Sequence, residues 1–379
     1  MMNRRDFLKN ALAGLTLVAA APSLSWASAS PRLPVLVAVH LTGGNDALNT
    51  LVPFRDPVYR ASRPQLGLAT KSLLTLTSDL AFHPSLPNLA RRFEQGEVLV
   101  MPGIGRPDHD RSHFRSSDLW HCAGHPEGHG WMALLGAEIE CRPVSLGDTV
   151  SRAVACPGHP PLGILGRSLP GFPGSPQLKT AWTKMMTQWS APGQASRQLK
   201  ESARLVEEMA GRLAHRMDAV KLQRPFEGND FGHRFETATR MIAAGFPSRL
   251  YHIGVGQFDT HSDQLGGHAR ELSGLDSALE AMLANLSSLS CPVVVMVYSE
   301  FGRRVQENFS GGTDHGGGGL AWLVGASVKG GVEGPGYGLD SLQDGDLRAT
   351  LDYRQLYSAA VAASFGGRAA SRLFADRKY

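Results

Sequence analysis

Charged residues make up only 19% of this 379-residue chain, and the formal net charge is a modest +4. Arg4, Arg5 and Lys9 near the start outweigh Asp6, so the remainder is closer to neutral still. There is no polybasic stripe and no nucleic-acid module, which argues against a nucleic-acid partner. Cysteine is scarce too, and the spacing of Cys122, Cys141, Cys156 and Cys291 is not that of a zinc knuckle. Two readings of the first three stay open: a disulfide formed in an oxidising compartment, or thiols packed as small apolar side chains. Beyond the first thirty residues no stretch is long and apolar enough to span a bilayer, so a soluble mature protein without a stable membrane anchor is expected. The chain has no G-x-S-x-G elbow, which removes the best marker of an α/β-hydrolase serine enzyme. It has no G-x-x-x-x-G-K-[ST] loop, and Gly254-Val-Gly256 lacks the third glycine of a dinucleotide fingerprint.

What is present is glycine (43), proline (23) and an apolar fraction of 42%. That balance suits a loop-rich globular enzyme fold better than a helical bundle. The first residues read Asn3-Arg4-Arg5-Asp6-Phe7-Leu8-Lys9, followed by an apolar run from Ala11 to Ala21 and a small-x-small site at Ala27-Ser28-Ala29. A paired arginine, a short apolar segment and a small-residue site make a removable twin-arginine (Tat) signal. The apolar run is too short and too rich in Gly and Ala for a membrane anchor. Expected from this are export in folded form through the Tat translocon, cleavage near Ala29 and residence in the periplasm. Residues 1–29 are then the signal, and 30–379 a single α/β domain.

Within that domain, Pro34–Leu41 is a short, β-branched apolar run that reads as a buried parallel strand. Further strands are expected at Val98–Met101, Leu250–Val255, Pro292–Tyr298 and Leu320–Val324. Helices are expected from His83-Pro84, after Ser112, over about 195–220, over 231–245, over Gln264–Leu289 and over Asp352–Phe365. The apolar face of the Gln264–Leu289 helix comprises Leu265, Leu272, Leu275, Leu279, Met282 and Leu286. Residues 141–195 are Pro/Gly-rich and read as an irregular insertion or cap. Alternating strands and helices imply a mostly parallel central sheet with helices on both faces. In such sheets ligands bind beyond the carboxyl ends of the strands.

Polar residues gather at those ends. Asp46 follows the first strand, Ser112 and His113 follow the second, and Asp259-Thr-His261 follows the third. Glu300 and Arg303 follow the fourth, and Asp314-His315 precedes the fifth. Carboxylates and imidazoles together suit divalent Zn, Mn or Fe ions. Each residue also has a plainer role. Asp46 can hold a turn, the 259–262 stretch can cap a helix, and Glu300 can pair with Arg303 or Arg304 on the surface. Asp314-His315 can be an exposed loop. His121, His125 and His129 are spaced by four, but Gly124, Pro126, Gly128 and Gly130 argue against the continuous helix that would bring them together.

Five segments in order carry a resemblance: Gly43-Gly-Asn-Asp46-Ala-Leu-Asn49, Arg111-Ser-His-Phe114, Phe258-Asp-Thr-His261, Ser299-Glu-Phe-Gly-Arg303 and Gly311-Gly-Thr-Asp-His-Gly316. They resemble the motifs of the twin-arginine-exported bacterial family called domain of unknown function 1501, itself similar to the alkaline phosphatase and sulfatase superfamily. The resemblance implies that superfamily's fold. It implies a site with Asp46 bridging the metals, and Asp259, His261 and His315 on one ion. It implies Glu300 at the second ion, with Asp314 or His113 available to complete it. Ser112 is the nearest match to the nucleophile, with His113 or Arg111 holding an anionic ester. The expected cofactor is one or two divalent ions, Zn, Mn or Ca. The chain departs from the pattern at Phe301, which stands where the superfamily has a metal-binding histidine. The activity so implied is hydrolysis of phosphate or sulfate esters. Two rivals remain: a non-catalytic periplasmic binding or assembly protein, which Phe301 favours, and a metal-free serine hydrolase. For Ser112 itself the alternative is a plain helix cap.

Overall fold

The computed structural model describes residues 33–108, 110–124, 128–156, 162–165, 177, 180–181, 183–185 and 211–374. The Tat signal expected over residues 1–29, most of the helix expected over 195–220, and His125 lie outside these residues.

The apolar runs become strands. β1 (Val35–Leu41) is buried along its whole length. Three two-residue strands, β2 (Leu51–Val52), β3 (Leu74–Thr75) and β4 (Ala81–Phe82), form a small antiparallel sheet in the order β2-β4-β3. The large sheet adds β5 (Val98–Gly105), β6 (Val144–Gly147), β7 (Leu162–Leu165), β8 (Leu250–Val255), β9 (Val293–Tyr298), β10 (Gly319–Val324), β11 (Gly331–Val332) and β12 (Leu351–Asp352). Its order is β11-β5-β10-β9-β1-β8-β6-β7, with β12 also pairing β5. It is a mostly parallel, mixed sheet. β6 and β7 fall inside 141–195, so part of the stretch read as irregular is sheet. Each is only four residues long, Val-Ser-Leu-Gly and Leu-Gly-Ile-Leu, too short for periodicity to register.

β10 alone runs against its neighbours, antiparallel to both β9 and β5. A parallel return needs a crossover, usually a helix, whereas an antiparallel return needs none. The segment between β9 and β10 contains no helix. As a result the end of β9 and the start of β10 share one edge of the sheet, and residues 299–318 stay there.

Among the described residues, the helices with both ends in view are α1 (Ala47–Thr50), α2 (Pro57–Ser62), α3 (Pro87–Glu94), α4 (His113–His121), α5 (Trp131–Glu138), α6 (Asp230–Ala243), α7 (Gln264–Ser287), α8 (Tyr353–Phe365) and α9 (Gly367–Phe374), and residues 211–218 are helical too. α3 starts at Pro87, a residue suited to the first helical turn, and not at His83-Pro84. Asn229 caps α6 by accepting from the Gly232 N–H, and Asp352 caps α8 by accepting from the Arg354 N–H.

Strand alternation sorts the core into two layers. Val35, Val37, Val39 and Leu41 of β1 face a layer with Leu89 of α3, Phe231 and Phe235 of α6, and Leu272, Leu275, Leu279, Met282 and Leu286 of α7. Leu36 and Ala38 face the opposite layer, with Trp120 of α4, Trp131 and Leu135 of α5, and Leu356 and Val361 of α8. Leu265, expected on the buried face of α7, lies in its first turn and is 44% exposed. Cys122 is a buried thiol that donates to the Gly128 carbonyl, and the Cys141 sulfur accepts from the Arg249 N–H. Both fit the packed-thiol reading.

Candidate metal centre

The edge is assembled around the turn after β1. Gly43 and Gly44 have φ of +112° and +80°, a region open chiefly to glycine. A Cβ on Gly43 would stand 2.4 Å from the Asp259 backbone nitrogen, and one on Gly44 2.3 Å from the Phe301 ring. The two glycines therefore let the loops after β8 and β9 close onto β1.

Arg303, 1% exposed, fastens these loops together. Its guanidinium donates to the carbonyls of Gly43, Gly44 (2.7 Å), Phe258 (2.9 Å) and Thr313 (2.7 Å), and to Asp259 Oδ1 at 2.6 Å. The surface ion pair with Glu300 weighed for Arg303 is not what forms. Arg303 is a buried clamp whose acidic partner is Asp259.

On this base four side chains meet. His261 Nε2 lies 3.0 Å from Asp259 Oδ1 and 3.0 Å from His315 Nε2, and His315 Nε2 lies 3.0 Å from Asp259 Oδ1. His113, Asp259 and His315 each bring a ligand atom within 4.8 Å of the others. Ligand atoms on a tetrahedral ion with bonds of about 2.0–2.1 Å stand roughly 3.3 Å apart. Asp259, His261 and His315 therefore fit a single divalent ion, with His113 Nε2 3.5 Å from the other oxygen of Asp259. Burial pushes the Asp259 carboxyl upward, but hydrogen bonds from His315 and Arg303 hold it below its ordinary value, so it is ionised at neutral pH.

Neighbours orient these donors. His315 Nδ1 is 2.8 Å from the Arg111 carbonyl, and His261 Nδ1 is 3.1 Å from Asp314 Oδ1. Asp314 thus sits behind His261. Phe301 is buried under the cluster, its ring centroid 4.9 Å from that of His113 and 4.7 Å from that of His315. Where the superfamily pattern has a ligand, this chain has an apolar floor for two imidazoles.

Glu300 and Asp46 occupy a different place from the one expected beside the ion. Glu300, 3% exposed, accepts from His113 Nδ1 (2.8 Å), His40 Nε2 (3.0 Å), the Gly43 N–H (2.9 Å) and the Ser299 hydroxyl (3.1 Å). Burial works against its charge, yet His113 and His40 hold it well below the usual carboxylate range. The same contact raises His113 above its ordinary value. Glu300 thus orients His113 from behind. Asp46, 1% exposed, gives both oxygens to Arg63, at 2.5 and 2.9 Å, and accepts from the Gln264 amide as well. Burial raises its pKa, and Arg63, His268 and Gln264 together bring it below its ordinary value. A guanidinium therefore stands beside Asp46 where the resemblance implies a metal. Arg63 went unnoticed in the sequence because it lies in a polar stretch far from any strand end.

Ser112 precedes α4 as its cap residue, but its hydroxyl makes no capping hydrogen bond. It is exposed and flanked by two residues that touch the cluster, Arg111 through its carbonyl and His113 through its ring. The Arg111 guanidinium points elsewhere, to Asp346 at 2.5 Å.

No curated protein matches the chain. Among solved structures, the C-terminal periplasmic domain of EcEptC from Escherichia coli, in complex with Zn, is similar with a TM-score of 0.40 and 8% identity, covering 91% of this chain and 86% of that one. Alkaline phosphatase from the Antarctic bacterium TAB5 has a TM-score of 0.36 and 10% identity, over 88% and 99% of the two chains. PsFucS1 sulfatase from Pseudoalteromonas sp. has a TM-score of 0.33 and 11% identity, over 96% and 72%. At these scores no residue role carries across. Residues 177–356, which include three of the five motif segments, match the family model described as a protein of unknown function, DUF1501.

Proposed function

We propose that this chain is a metal-dependent hydrolase of phosphate or sulfate esters, exported through the Tat pathway and working in the periplasm. Residues 1–29 are the cleaved signal and 30–379 one domain. The observation that carries the hydrolase reading is the meeting of Asp259, His261 and His315 at mutual separations of 3.0 Å, with His113 beside them. Among the described residues no helix is long and apolar enough to cross a membrane.

Asp259, His261, His315 and His113 would hold the ion, and Asp314 and Glu300 would orient the rings. A divalent ion supplies polarisation of an ester oxygen. Ser112 is the nucleophile, its hydroxyl not engaged in a cap and its helix offering first-turn N–H groups to an anionic ester. Phosphoryl and sulfuryl transfer need little beyond positioning and charge neutralisation.

The test is metal analysis of protein exported from its native host, with turnover of aryl phosphates and aryl sulfates before and after chelation. Turnover that disappears with chelator, returns with metal and is absent in His315→Ala supports the reading. Turnover indifferent to chelator and to His315→Ala would hand the chemistry to a metal-free serine hydrolase. One observation favours a second reading, a non-catalytic binding protein. Both Asp46 and Asp259 already carry buried guanidinium partners, Arg63 and Arg303. Bound metal with no turnover across the ester panel supports that reading.

A further inference from the structure

We infer a second metal centre, built from histidine alone: His40, His121 and His252 bind a divalent transition-metal ion of the zinc class, with an open coordination position facing the adjoining cavity.

The sheet register brings the residues together. His40 of β1 lies opposite Tyr298 of β9, and His252 of β8 lies opposite Ala38 of β1. Residues 38, 40, 252 and 298 therefore point to one face, the face covered by α4. His121, the last residue of α4, comes down onto them. Ring centroids are 5.1 Å apart for His40 and His121 at 90°, and 5.3 Å for His121 and His252 at 86°. All three residues are buried, and one nitrogen of each lies within 4.8 Å of the other two.

The hydrogen bonds behind the rings set up the lone pairs. Glu300 Oε2 accepts from His40 Nε2 at 3.0 Å. A carboxylate only accepts, so Nε2 carries the proton and a neutral His40 presents Nδ1. His252 Nε2 stands 3.0 Å from the Tyr298 hydroxyl and 3.3 Å from the Ser151 hydroxyl. Both oxygens can accept a proton from Nε2, and in that tautomer Nδ1 is the donor atom for an ion. His252 Nδ1 and His121 Nε2 are buried and have no hydrogen-bond partner among the described residues. Buried polar atoms without partners are rare and call for a reason. One ion answers both.

The ligand chemistry narrows the metal. Three imidazoles with no carboxylate suit zinc and its neighbours, not magnesium or calcium. The three rings line a cavity of about 790 Å³, with Ser151, Asp148 and Arg234 also in its wall. Three protein ligands and an open fourth position facing a cavity is the arrangement of reactive zinc sites, as distinct from closed structural ones. Glu300 ties the two centres together, since its other oxygen accepts from His113 of the surface cluster.

The surface cluster must be removed to see this centre. Full-length exported protein carrying His261→Ala and His315→Ala is stripped with chelator, reloaded with Zn(II) and studied by metal analysis and zinc X-ray absorption. One tightly held zinc per chain is expected, with about three imidazole shells at roughly 2.0–2.1 Å. Adding His121→Gln and His252→Gln should lower the count by one while circular dichroism stays unchanged. A folded His261→Ala/His315→Ala protein that retains no zinc, or whose zinc carries fewer than two imidazoles, overturns the proposal. That arm needs no substitution in the buried cluster, so it decides the matter even if the quadruple variant does not fold.

Discussion

Arg63→Met removes the buried cation beside Asp46 while keeping most of the side-chain volume. The guanidinium makes five hydrogen bonds: two to Asp46 at 2.5 and 2.9 Å, and one each to Asn49 Oδ1, the Val305 carbonyl and the Arg304 carbonyl at 3.0 Å. Arg63 and Asp46 are each 1% exposed, so water does not compensate the loss. Breaking a buried pair by removing one partner costs about 3–5 kcal/mol, a large share of a typical stability of roughly 5–15 kcal/mol. In the native protein Asp46 lies below its ordinary 3.8, so its contribution is present above that value and is lost as pH falls through the folded value. In Arg63→Met, burial of the carboxyl is left largely unopposed and its folded pKa rises. The variant's deficit is then fullest at neutral pH and shrinks as acid protonates Asp46. Urea unfolding at pH 7 and pH 4, followed through the buried Trp120, Trp131 and Trp322, measures both deficits. A loss of less than about 1 kcal/mol at pH 7, as for an exposed pair, or a loss equal at both pH values, would refute the reasoning. Replacing Asp46 by Leu in the same variant should recover much of the loss, because no charge is then left unpaired.

Ser112→Ala should change stability by less than roughly 0.5 kcal/mol, since the hydroxyl makes no capping bond. It should lower ester turnover by several orders of magnitude with metal content unchanged; near-normal rates would remove Ser112 from the mechanism. Glu300→Gln keeps the shape but weakens the contacts that orient His113 and His40, and should lower metal affinity about 10–100-fold in competition with a chromophoric chelator. Unchanged affinity would mean that the rings need no support from Glu300. Arg4→Lys with Arg5→Lys should leave the uncleaved precursor in the cytoplasm, as read by fractionation and immunoblot; normal export would refute the Tat assignment.

Much of this architecture was legible in the chain. Pro34–Leu41 and Pro292–Tyr298 read as buried strands because continuous β-branched runs suit a sheet covered on both faces. The α7 helix followed from its 3.6-residue apolar spacing, helices were also expected over 231–245 and from Asp352, and Asp259, His261 and His315 stood out in the loops at strand ends. That much is local, since pattern and spacing act over a few residues. Which carboxylate faces which cation is not local. Asp46 meets Arg63 across 17 residues and Asp259 meets Arg303 across 44, and the second pairing lies where the loops after β8 and β9 close over Gly43 and Gly44. Phe301 looks like a lost ligand in the sequence, yet in the fold it is the floor beneath His113 and His315. His40 and His252 sit in apolar strands where a lone histidine gives no functional signal. They acquire one only because parallel pairing of β1 with β8 turns both to the same face, and because α4 ends at His121 above them. Side-chain chemistry is written residue by residue, but convergence depends on register and chain reversal, and those are properties of the packed whole.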